Sequence, residues 1–144
     1  MPDGVWILGD KLFIGYEAKT EQDAAGAISV TDARQAGGHA NWIRNEFGCD
    51  ADATVTCILI TPREEVDSAA VPHAGSLFLI LPSEVIRLVQ EGTSMLRAIR
   101  SEAAGCRDDQ LSAVIAKRCR EAHLTPSEIL ERLQRLCVRE LPQR

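Results

Sequence analysis

The sequence has no C-x-x-C pair, no P-loop, no G-x-G-x-x-G and no long apolar run, and aromatics make up only 4% of it. Its five cysteines (49, 57, 106, 119 and 137) are odd in number and scattered, so they read as reduced thiols rather than a disulfide frame. His39, His73 and His123 lie far apart with no cysteine at ligand spacing, which argues against a structural zinc site. The absent glycine-rich loops argue against nucleotide-driven chemistry within this chain. No Ser- or Cys-hydrolase nucleophile motif is recognisable either. The apolar stretch Ser76–Leu81 is far too short to span a bilayer. The opening Met-Pro-Asp-Gly carries neither the basic region nor the apolar stretch of a secretory signal, so the expected location is cytoplasmic.

What is present is an ordinary globular balance over 144 residues, 45% hydrophobic and 26% charged, enough for one substantial core. The net charge of −5 disfavours a nucleic-acid partner at first sight, but it is unevenly spread. Residues 1–70 hold 5 cations against 12 carboxylates, and residues 71–144 hold 11 against 9. Thirteen of the sixteen cations are arginine, the better bidentate phosphate ligand. The acidic half is where a divalent cation belongs.

Residues 4–8 and 12–18 are rich in β-formers and separated by Gly9-Asp10-Lys11, which predicts a tight hairpin. A short strand is possible at 27–30. Thr31-Asp32 then opens a helix running to Gly48, with Thr31 as N-cap and a stripe of Ala36, Ala40, Ile43 and Phe47. Gly37-Gly38 in its middle costs about 1 kcal/mol per glycine, so another group is expected close to that backbone. Residues 53–61 and 76–81 read as buried strands. Helices follow at 83–102, 108–123 and 126–139, the last opened by the capping box Thr125-Pro126-Ser127-Glu128. The final pair reads as an αα-hairpin packed on the core in preference to a helix-turn-helix. Its arginines (107, 118, 120, 132, 135 and 139) read as a solvated face.

The hairpin is where chemistry gathers. Glu17 and Lys19 project from one side of a strand, about 7 Å apart. If position 8 pairs with position 12, paired positions sum to 20 and Asp3 lies across from Glu17, with Cβ atoms roughly 5 Å apart. Two such carboxylates repel unless a cation lies between them. Mg²⁺, held by one or two carboxylates, a backbone carbonyl and waters, answers that need. Lys19 adds a fixed positive charge beside it, the set required to hydrolyse a phosphodiester. On this view Asp3→Ala or Glu17→Ala removes metal binding and activity, and relief of the repulsion leaves room for a gain in stability.

The string Pro2-Asp3-Gly-Val-Trp…Tyr-Glu17-Ala-Lys19-Thr20 resembles the PD-(D/E)xK signature of the restriction-endonuclease-like nuclease superfamily. The segment from Ile28 to His39 resembles the helix that follows the signature, and the likeness extends over roughly residues 2–100. It implies an α/β fold, a mixed central sheet flanked by helices. Asp3 and Glu17 would be metal-binding carboxylates, the Ala18 carbonyl a further ligand and Lys19 the catalytic lysine. Gln35 resembles the glutamine some branches carry facing the site, and a solvent-facing helix position is the equal alternative. His39, one turn on, occupies a position where related nucleases often carry tyrosine. A DNA contact is the role open to it, and a solvent-facing position the simpler expectation.

The resemblance also implies a helix and a strand before the Asp3-bearing strand. This sequence opens at the motif, so the usual N-terminal helix is lacking and a sheet edge needs covering. The expected organisation is a nuclease core over 1–106 and a helical C-terminal extension over 107–144. The expected function is Mg²⁺- or Mn²⁺-dependent hydrolysis of DNA, by a homodimer, a chain docked on a larger protein, or one fused to an upstream domain. The rival is a catalytically silent nuclease-like module for DNA binding or assembly.

Overall fold

In the computed structural model, which describes residues 1–8 and 11–144, two apolar runs pair as the alternation predicts. Strands β1 (Gly4–Leu8) and β2 (Leu12–Ala18) are antiparallel, with Gly4 opposite Tyr16 and Leu8 opposite Leu12, the register that sums to 20. The first two residues of the expected turn, Gly9 and Asp10, lie outside the described residues. Gly4 is required by its neighbour, because a Cβ there would collide with the Tyr16 ring.

Strand β3 (Ala27–Ile28) is shorter than the segment that suggested it. The helix expected from Thr31 begins earlier and is broken. Ser29, not Thr31, is the N-cap: its hydroxyl accepts from Asp32 N–H at 3.1 Å and donates to Asp32 Oδ2 at 2.8 Å. Helix α1 (Val30–Gly37) stops at Gly38, and α2 (His39–Phe47) continues to Gly48, whose left-handed φ of 56° closes it. The close approach anticipated at the glycine pair is made by His73, whose carbonyl oxygen would be 2.9 Å from a Cβ on Gly37.

Strands β4 (Thr54–Ile60) and β6 (Leu77–Ile80) run parallel to β2, and Ala18, Ile60 and Ile80 align at their carboxyl ends. Between them lie β5 (Glu65–Val66), paired with β3 in a small parallel sheet, and the single turn α3 (Val71–Ala74). Helix α4 (Pro82–Ala103), helix α5 (Asp108–Glu121) and helix α6 (Pro126–Leu133) follow. The helix expected to reach Arg139 ends six residues sooner. Leu136–Cys137 instead form strand β7, antiparallel to β6, and a 3-10 turn spans Val138–Glu140. The main sheet is therefore mixed, in the order β1-β2-β4-β6-β7.

The chain divides into two compact units, 1–82 with 133–144, and 83–132. The break expected after residue 106 falls inside the second unit, and residues 133–144 belong to the first. In the first unit α1 and α2 lie on one face of the sheet. Ile43 of α2 is fully buried against Phe13 and Ala53, and Ala36 of α1 lies with Cys57 and Leu59. Gly15 makes this closeness possible, since a Cβ there would sit 2.5 Å from Ile43 Cδ1. In the second unit Glu102 of α4 pairs with Lys117 and Arg118 of α5, and Glu91 with Arg132 of α6. Arg107 and Arg139 also lie beside carboxylates, in keeping with a solvated face. The described cysteines are all free thiols, and burial pushes the Cys57 thiol up to about 11, which leaves it inert. Among the described residues no helix is long and apolar enough to cross a membrane.

Candidate active site

Strand β2 presents Phe13, Gly15 and Glu17 to the helices on its face, because alternate residues share a side. Phe13 is apolar and Gly15 admits Ile43, but Glu17 brings a carboxylate into the same buried layer, only 1% exposed. A carboxylate so placed needs donors, and three converge on it. Gln35 Nε2, from α1, donates to Oε1 at 2.5 Å. Lys19 Nζ lies 3.0 Å from the same oxygen. His39 Nε2, from the first residue of α2, is 2.9 Å from Oε2.

The site lies where the parallel strands β2, β4 and β6 end, the edge at which open α/β sheets generally bind ligands. Lys19 is fixed there by its own backbone, since its N–H donates to Ile60 O at 2.7 Å. Its ammonium is held above the usual lysine range, first by the hydrogen bond to Glu17. Burial opposes the shift, and the charges of Glu17, Asp32 and Asp3 add to it. Lys19 therefore stays protonated through the physiological range, as a fixed charge rather than a general base.

Asp3 stands one step beyond the β1–β2 ladder. Its N–H donates to Tyr16 O at 3.0 Å, and its exposed side chain reaches the β2 backbone, where Oδ2 accepts from Ala18 N–H at 2.8 Å. The structure thus brings Glu17, Lys19, Gln35 and His39 into direct contact and sets Asp3 against Ala18 beside them. His39 overturns the solvent-facing expectation, being 2% exposed and turned onto Glu17. The sequence did contain the signal, the four-residue spacing from Gln35 that puts both on one helical face.

Asp32 is the residue that sequence reasoning missed, having been given only a helix-end role. Its buried carboxylate accepts from Gln22 Nε2 at 3.1 Å and from Ser29, and its charge reaches Lys19. Gln22 is in turn held by Thr61 Oγ1 at 3.1 Å, which ties the loop after Lys19 to the end of β4. A Ser-x-x-Asp cap beginning at Ser29 was the available clue.

Among the described residues no three His, Cys, Asp or Glu side chains group as ligands of one ion. Mg²⁺ needs fewer protein donors, since it keeps several waters and takes one or two carboxylates. Asp3 and Glu17 are hard oxygen donors of the kind it prefers, so the donor set fits in chemistry. The expected mutual repulsion is not what governs Glu17. Removing its carboxylate would strand the buried His39 donor, while Lys19 and the exposed Gln35 can turn to water, so Glu17→Ala is expected to lose stability rather than gain it. No family model, curated protein or solved structure matches the chain.

Proposed function

We propose that the chain is a metal-dependent nuclease of the restriction-endonuclease-like type, hydrolysing phosphodiester bonds in DNA. The observation that supports this most is the buried Glu17, met by Lys19 and Gln35 at the carboxyl ends of the parallel strands. A carboxylate kept in an apolar layer at the cost of three polar partners points to use rather than to packing. In this reading Asp3, Glu17 and the Ala18 carbonyl hold Mg²⁺ or Mn²⁺. When bound, the ion supplies Lewis-acid polarisation of the phosphoryl oxygens and a more acidic water. Lys19, protonated and fixed, offsets the charge that develops on the attacked phosphate. Gln35 holds the Glu17 oxygen that faces the lysine.

One observation favours a second reading, a silent nuclease-like module that binds DNA or assembles with a larger complex. Both Glu17 oxygens already accept hydrogen bonds from protein groups, and an ion must share them. Incubating supercoiled plasmid with the chain and Mg²⁺, Mn²⁺ or EDTA separates the two. Metal-dependent nicking or linearisation lost in Lys19→Ala supports the nuclease; binding without cleavage under every metal supports the module.

The working form we propose is cytoplasmic, as a homodimer or docked on a larger protein. Strand β1 lies at an outer edge of the sheet and leaves Ile7 50% exposed, a surface suited to pairing. Sedimentation at tens of micromolar tests this, and a monomer that cleaves DNA efficiently refutes it.

A further inference from the structure

We infer that His39 is a positioning residue that holds the Glu17 carboxylate in place for a divalent cation. This rests on the cation reading of the site above. A contact with DNA is closed to His39, whose side chain is 3% exposed and lies against one that is 2% exposed. The polarity of the contact is set by chemistry. A carboxylate can only accept, so at 2.9 Å the Nε2 of His39 must carry the proton and donate to Oε2.

The rest of the site is arranged to make that bond. Gln35, four residues earlier, holds the other oxygen, so the two side chains grip Glu17 from both ends of its carboxyl group. The break at Gly38 starts α2 at His39, and Gly15 lets α2 approach β2. The clash that a Cβ on Gly15 would make is with Ile43 Cδ1, at 2.5 Å, and at 3.6 Å from His39 Cβ it would only be in ordinary contact. Carboxylates that ligate metals are generally oriented by such hydrogen bonds, and losing the partner typically weakens metal binding by about 10–100-fold. Without His39 the carboxyl group is held through Oε1 alone, and Oε2 loses the contact that fixes its aim.

The test is Mn²⁺ affinity, read by calorimetry or by the free-ion electron paramagnetic resonance signal, with no DNA present. Glutamine puts an amide nitrogen as many bonds from Cβ as histidine puts Nε2, whereas phenylalanine fills the space without a donor. His39→Phe should weaken Mn²⁺ binding about tenfold or more, and His39→Gln should restore most of it. If His39→Phe fails to fold, His39→Asn replaces it, with a donor one bond too short and the same expected loss relative to His39→Gln. A folded His39→Phe or His39→Asn that binds Mn²⁺ as tightly as the wild type overturns the positioning role alone. A wild-type chain that binds no Mn²⁺ overturns the cation reading and this inference with it.

Discussion

Lys19 Nζ lies 3.0 Å from Glu17 Oε1, the cation 23% exposed and the carboxylate 2% exposed by side chain. The pair joins two residues of one strand that share a face, so its geometry is set by the backbone. Lys19→Met keeps the stem and removes the charge. Plasmid cleavage should fall at least 100-fold, the scale of losing one transition-state donor. Mn²⁺ affinity, measured alongside, should hold or rise, because Oε1 loses a competing cation. Cleavage at the wild-type rate would take the lysine out of the mechanism.

Glu17→Ala should destabilise the fold by about 3 kcal/mol, the scale of breaking a buried pair by deleting one partner. Asp3→Ala, by contrast, removes an exposed side chain that accepts a hydrogen bond from Ala18 N–H, so about 1 kcal/mol is expected. Urea midpoints of the two variants give the comparison. Equal costs would mean that the donors around Glu17 find other partners.

Acid should act on the second unit through Glu128. The Thr125 hydroxyl first, then His123 and the Thr125 N–H, hold its carboxyl down to about 2. A depressed carboxylate contributes stability that is full above its unfolded value of 4.5 and drains away as pH falls towards 2. Carbon-detected NMR titration should therefore place the Glu128 midpoint well below the ordinary glutamate value of 4.5. Glu128→Gln should lose that acid dependence, and an ordinary midpoint near 4.5 would show that the capping box does not close in solution.

Two helical glycines should respond in opposite directions to alanine. Gly92, within α4, has nothing within 4 Å of its would-be Cβ, so Gly92→Ala should stabilise by about 1 kcal/mol. Gly37→Ala gains the same propensity but drives a methyl group to 2.9 Å from His73 O, a backbone atom that yields little. A net loss of about 1–2 kcal/mol is expected there. Thermal melts of both variants would check it, and a stabilised Gly37→Ala would show that α3 gives way.

The elements with a strong period were legible beforehand: the hairpin and its register, β4, β6, α4 and the start of α6. The two-residue strands β3, β5 and β7 were harder, because pairing in them is decided by partners distant in sequence. Leu136–Cys137 continued an apparently helical pattern, and only the free edge of β6 makes them a strand. The Thr31 reading failed for a local reason, since Ser29 and Asp32 together make a better cap than Thr31 does. Of the candidate site, Glu17 and Lys19 could be read from spacing, and Gln35 was suggested only by the resemblance. His39 and Asp32 were given other roles, because the local signals do not say which face the helix turns to the sheet, and that depends on Gly15 and Ile43 packing across it.

The second unit is spliced into the first between β6 and β7, and this bears on the order of events during synthesis. When Ile80 leaves the ribosome, its strand has β4 on one side and no neighbour yet on the other. Some fifty residues of helix must be translated before Leu136 and Cys137 arrive to occupy the vacant side. At about 5–20 residues per second, β6 spends several seconds as a temporary sheet margin. Its residues, Leu-Phe-Leu-Ile, make an adhesive sequence for any passing strand. The helices between are made of local contacts and form quickly, so the wait is for the chain to be produced, not for the insert to fold. Nascent chains arrested before residue 136 should therefore engage chaperones more avidly than chains released at full length.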